Sequence, residues 1–215
     1  AFLKTHFPAE YMAALLSVYF DDATKVTTLL GECKRLNIPI LPPDINTSQL
    51  DFDIQPDPKT GVRGIRFGMA AIKNAGVGAL RHIIEAREAG TPFANLNDLC
   101  KRVDLRQVGK KTVESLIKVG AFDSLKAGTR PQLLAVIDRI ISTSANHYKA
   151  ADVGQMDMFG GGAVAEDDLL TNLPHVQEAS PRDMLNWERE LLGIFVSSHP
   201  IDPIVDSLSQ TNVTP

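Results

Sequence analysis

The chain has 215 residues, 44% of them hydrophobic, and carries 22 Lys and Arg against 26 Asp and Glu for a net charge of −4. That length supports one or two compact cores, and the acidic balance argues against a generally basic nucleic-acid coat. Cys33 and Cys100 lie too far apart in sequence to suggest a disulfide framework or a CxxC metal site, the five histidines show no ligand spacing, and no apolar run is long enough to span a membrane. The chain opens at Ala1 without an initiator Met, inside a helical pattern, and is expected to be a piece of a larger cytoplasmic protein.

In chain order, Pro8 to Val18 reads as a helix with Pro8 in its first turn and Tyr11, Met12, Leu15 and Leu16 on one face. A second helix is expected from an Asp22 N-cap to about Leu36, with Val26, Leu29, Leu30 and Cys33 inward. Ile38 to Leu41 is a brief strand or extended segment closed by Pro42-Pro43. Leu50 to Ile54 and Gly64 to Phe67 are expected to pair as a hairpin across QPDPKTG. Asp51 and Asp53 invite a reading as paired metal-binding carboxylates, but alternating acids on the outer face of a short strand are far commoner, and Gln55 stands where a third acid would help.

Ile65 to Gly90 organises the rest. It reads as a short helix, a tight Gly/Asn turn and a longer helix, with Met69, Ile72, Leu80, Ile83 and Ile84 apolar at spacings of three and four. Asn74, Gly76 and Gly78 are residue types that tolerate left-handed backbone or a close approach. A helix opened by such a turn points free N–H groups and its positive dipole end outward, which suits a phosphate oxygen. This is the pattern of a helix-hairpin-helix. Two registers fit, with Gly76-Val77-Gly78 or Asn74-Ala75-Gly76 as the hairpin; the second places Ile72 two residues before the turn and small Ala79 at the helix crossing. A helix–turn–helix corner that binds nothing also fits these residues.

Asn95 to Val103 is expected to be a helix, Asp104–Gly109 a turn, and Lys110 to about Val119 another helix. Lys110 and Lys111 oppose the dipole of the helix they open, which makes sense if an anion compensates them. Residues 63–130 hold 13 Lys and Arg against 6 Asp and Glu, so the basic charge gathers around these two units. A further helix is expected over about Thr129 to Ser144. From Ala145 to about Ser180 periodicity gives way to small, acidic and Gly residues, as in a flexible connector. Within it stand Gln155, Met156, Asp157, Met158 and Phe159, followed by three glycines; isolated large apolar residues of this kind need burial, in cis or in trans. Trp187 to Leu192 reads as a short helix and Gly193 to Val196 as the start of a strand.

Laid out in this way, the chain resembles the alpha subunit of bacterial DNA polymerase III, the replicative C-family polymerase. The likeness is colinear through FLKTHFPAEYMAALLS, IPILPPDIN, IRFGMAAIKNAGVGAL, LIKVGAFDSL, GQMDMFG and WERELLGIFVSSHPI. The family's usual Lys-Gly-Val-Gly hairpin becomes Lys73-Asn74-Ala75-Gly76, which favours the second register, and its Ser-Gly-His-Pro becomes Ser197-Ser198-His199-Pro200.

The resemblance implies a mainly α fold: the end of the fingers over 1–60, a tandem helix-hairpin-helix duplex-binding region over 61–128, a helix and connector with a clamp-binding motif over 129–180, and the truncated start of an oligonucleotide-binding β domain over 181–215. It implies duplex DNA, the sliding clamp (beta subunit) and other holoenzyme subunits as partners, and no membrane. DNA-binding residues would be Lys73, Asn74, Gly76, Gly78, Lys110 and Lys111, and clamp-binding residues Gln155 to Phe159. The family is a DNA-directed DNA polymerase whose catalytic carboxylates and Mg²⁺ lie in the palm, upstream of this stretch. No catalytic residue, metal ligand or cofactor is therefore expected here, and the stretch alone should be inactive. The alternative is a helix-hairpin-helix repair or structural module without clamp binding, which leaves the colinear flanking blocks unexplained.

Overall fold

The structure, a computed structural model, describes residues 2–58, 60–152 and 173–197, with 149–152 as backbone only. Helices α1 (Phe2–His6), α2 (Pro8–Val18) and α3 (Ala23–Arg35) come first. The bounds of α2 and α3 are those expected, because both starts are locally encoded: Pro8 stands at the first turn of α2, and the Asp22 carboxylate accepts from the Thr24 and Lys25 N–H groups. Met12, Leu16, Val26, Leu30 and Cys33 are buried where the two helices join the core. Burial pushes the Cys33 thiol up to about 11 and the Cys100 thiol up to about 12, so both act as packing residues rather than nucleophiles.

A three-stranded sheet follows in the order β1 (Ile40–Leu41), β3 (Arg63–Arg66), β2 (Asp53–Pro56). Ile54 lies opposite Ile65 in the antiparallel β2–β3 pair, and Ile40 pairs with Ile65 in parallel. The first hairpin strand starts three residues later than expected because the backbone before it is committed elsewhere. Leu50 O accepts from the Ala70 N–H, and the Phe52 N–H donates to Ser17 Oγ of α2. Gly68 crosses this stretch so closely that a Cβ there would lie 2.6 Å from the Asp51 carbonyl carbon.

The tandem units comprise a 3₁₀ turn (Met69–Ala71), α4 (Val77–Glu88), α5 (Leu96–Arg102), α6 (Leu105–Val108) and α7 (Lys110–Lys118). Two details depart from expectation. The short helix before the first hairpin is a single 3₁₀ turn, and the second turn, Asp104–Gly109, contains the four-residue α6, capped by Asp104.

The expected helix over 129–144 is two: α8 (Arg130–Ala135) under a Thr129–Gln132 capping box, and α9 (Ile137–Asp152). Helix therefore persists well past Ser144, into what the sequence suggests as connector. Ser144 explains why: it is fully buried, donating to Val103 O at 2.8 Å and accepting from the Leu105 N–H at 2.9 Å, so α9 is pinned to the α5–α6 corner.

Helix α10 (Pro181–Leu192) is twice the expected length, begun by a Ser180–Asp183 capping box. No strand follows at Gly193–Val196. Gly193 turns left-handed at φ 81°, and the Glu188 carboxylate takes the Val196 and Ser197 N–H groups at 2.8 and 3.1 Å, donors that a ladder would need. One continuous apolar core runs from Met12 to Leu192, with Phe52 and Phe67 in ring contact at 4.9 Å. The Gln155–Phe159 segment and Ser198-His199-Pro200 lie outside the described residues.

Candidate nucleic-acid interface

The first hairpin takes the Asn74-Ala75-Gly76 register. Asn74 is left-handed at φ 66°, Gly76 is extended at φ −70° and ψ 134°, and Val77 is already the first residue of α4. Turn chemistry decides this locally: Asn is the non-glycine residue that best tolerates the left-handed region. Ile72 is buried, Ala79 is half-buried at the crossing, and Lys73, Asn74, Gly76 and Gly78 are exposed.

The helix starts differ in a telling way. Helices α3, α5, α6, α8 and α10 open under a side-chain cap from Asp22, Asn95, Asp104, Thr129 and Ser180. Helices α4 and α7 open under Gly76 and Gly109, which supply none, and neither has an acid in its first turn. Their first N–H groups and dipole ends are thus left for an external acceptor. Gly109 needs to be glycine for conformation, at φ 83°; Gly76 and Gly78 do not, since their backbone angles are ordinary and a Cβ at either would meet nothing within 4 Å.

The two units join at this surface. The Thr112 hydroxyl, in the first turn of α7, donates to Asn74 O at 3.4 Å, and the Lys73 N–H donates to Leu191 O at the end of α10 at 3.0 Å. Helix α10 also packs against α7, so the first hairpin is held from two sides.

Much of the basic excess is spent inside the fold. Arg63 pairs with Glu10, Arg102 with Asp98, Arg106 with Asp104, Lys118 with Glu114 and Arg130 with Asp123. Arg66 and Arg87 are buried on backbone carbonyls. The anion expected for Lys110 is internal: its ammonium lies 2.7 and 2.9 Å from the Asp138 carboxylate oxygens. Lys73, Arg81, Lys111 and Lys126 are exposed and form no ion pair among the described residues. Arg81 was not anticipated, although its place three residues after Gly78 on the outer face of α4 is a readable signal. Thr112 carried none, because its role depends on the packing of two units.

Asp51 and Asp53 do not fit a magnesium site. Asp53 Oδ1 accepts from the Ile54 N–H at 2.8 Å, Asp51 lines a separate groove with Arg81, Glu85 and Glu88, and among the described residues no group of three or more His, Cys, Asp or Glu is placed to hold a metal ion. No helix among those residues is long and apolar enough to cross a membrane.

Tandem hairpins that present uncapped helix starts on one surface define a helix-hairpin-helix protein, and residues 37–133 match the family model described as helix-hairpin-helix motif. Beyond that class, the chain is 39% identical over 212 residues to the DNA polymerase III subunit alpha of Pasteurella multocida, covering 99% of this chain and 18% of that protein. It is 40% identical over 204 residues to that of Thermus aquaticus, covering 94% and 15%, and 36% identical over 208 residues to that of Vibrio cholerae, covering 97% and 17%. The chain belongs to the DNA polymerase III alpha-subunit family, and it spans less than a fifth of the length of these relatives.

Proposed function

We propose that this chain is the duplex-gripping and clamp-docking part of a replicative, cytoplasmic DNA-directed DNA polymerase, working with the other holoenzyme subunits, with nucleotidyl transfer and its Mg²⁺ belonging to other parts of that enzyme. The observation that carries the duplex reading is the pair of uncapped helix starts at Gly76 and Gly109, joined through Thr112 and Asn74 and flanked by Lys73 and Lys111, which are exposed and form no ion pair among the described residues. Each start offers N–H groups and a partial positive charge to a phosphate run, and the lysines add full charge beside it. Such contacts carry no sequence information, which suits an enzyme that must traverse every sequence. The clamp reading rests on Gln155, Met156, Asp157, Met158 and Phe159, outside the described residues. A short motif binds weakly alone but acts at high effective concentration when tethered to a protein already on the DNA that the clamp encircles.

Duplex affinity, measured by fluorescence anisotropy, should fall steeply with salt and be indifferent to sequence. Replacing Lys110 and Lys111 together by Ala should reduce the magnitude of the log–log salt slope by about one, because Asp138 already occupies Lys110. An unchanged slope removes both lysines from the phosphate contacts.

Gly78→Ala separates binding from folding. Within a helix, Ala is favoured over Gly by up to about 1 kcal/mol, and the added methyl meets nothing within 4 Å in the fold. Thermal stability should hold or rise. Duplex affinity should fall by roughly tenfold, because the methyl keeps a phosphate from the α4 N–H groups. A variant that binds DNA as well as the parent would place the duplex elsewhere.

A further inference from the structure

We infer that Asp138 is an affinity-setting residue of the duplex interface: it occupies the ammonium of Lys110, and a DNA phosphate must displace it to use that lysine. The inference rests on the duplex reading given above. Lys110 is the first residue of α7, directly after the uncapped Gly109, so its charge stands where an anion would approach that helix start. Asp138 reaches it from the first turn of α9, 28 residues away, with carboxylate oxygens at 2.7 and 2.9 Å. The Asp138 side chain is 80% exposed and that of Lys110 54% exposed.

An ion pair so open to water contributes little to the fold. The Asp138 side chain makes no other bond among the described residues, so the pairing is not part of a structural network. The acid of α7 itself, Glu114, is turned to Lys118 at 2.6 Å and does not compete. Lys111, one residue on, has no such partner among the described residues. The two lysines that look equivalent in sequence are thus unequal: one is available to DNA at once, and the other only after an exchange of carboxylate for phosphate. Keeping one cation in reserve weakens the grip on DNA, which suits a protein that must slide along it.

The test is a double-mutant cycle on the whole chain, with duplex affinity and its salt slope as readouts. Asp138→Asn keeps the shape and removes the charge; it should bind duplex roughly two- to fivefold more tightly at low salt, the scale of an exposed ion pair, and steepen the slope by about one. Lys110→Ala should change affinity little in the parent and reverse the whole gain in the Asp138→Asn background. Thermal melts confirm that each variant is folded, and Asp138→Ser serves if the Asn variant is not. Equal effects of Lys110→Ala in both backgrounds, or no gain from Asp138→Asn, overturn the inference while leaving duplex binding intact. If the folded parent and Asp138→Asn both fail to bind duplex at low salt, the duplex reading itself falls, and this inference with it.

Discussion

Replacing Arg87 by Ala should cost about 3–4 kcal/mol of stability, read as a shifted midpoint in urea at unchanged slope. Arg87 is 6% exposed, near the end of α4, and its Nη1 donates to Ile45 O at 3.1 Å and Ser48 O at 2.7 Å. Glu88 stands 3.7 Å away on the exposed side. Burial lowers the pKa of the guanidinium, yet Arg keeps its charge at neutral pH, so these are charge-assisted bonds. Truncation leaves two buried carbonyls without a donor and a cavity beside them. The loop they belong to ties the units together: the Ile45 N–H donates to Ala121 O, and the Asn46 side chain grips the Phe93 backbone in both directions. Lys at this position should recover only part of the loss, because a compact, strongly hydrated ammonium costs more to bury than the guanidinium whose Nη1 serves both carbonyls. A loss below about 0.5 kcal/mol, as at ordinary surface sites, would mean that water replaces the guanidinium and that Arg87 does not hold the loop.

Phe159→Ala should weaken clamp binding by about 2 kcal/mol or more, close to thirtyfold in Kd, as truncation of an interface anchor does. Met158 and Phe159 are large apolar residues in a stretch otherwise rich in Gly and acids. Burying such a pair in a preformed pocket contributes on the order of 3–5 kcal/mol before ordering costs, and the Gln155 amide can fix orientation by hydrogen bonding. Thermal stability and duplex affinity should stay where they are, which separates this residue from Arg87. Surface plasmon resonance on immobilised clamp, run beside a thermal melt, decides it. If the variant unfolds and the parent never binds clamp, the segment is part of the core.

What the sequence determined by itself was whatever rests on short-range chemistry. Pro8 and Asp22 start their helices where side chain and backbone interact within a few residues, and Asn74 sets the hairpin register because its own backbone tolerates the left-handed region. The start of α8 at Thr129 is local in the same sense. Tertiary structure decided what depends on partners distant in the chain. Composition around the hairpins shows a basic excess, but only packing assigns Arg63 to Glu10 and Lys110 to Asp138, leaving Lys73, Arg81, Lys111 and Lys126 for an external anion. Ser144 looks like the end of a helix until its burial against Val103 and Leu105 carries α9 further. Gly193–Val196 has the apolar pattern of a strand, yet the Gly193 N–H goes to Arg189 O and the Val196 and Ser197 N–H groups go to Glu188, since hydrogen-bond donors pair with the acceptor that folding delivers and not with the one their periodicity anticipates.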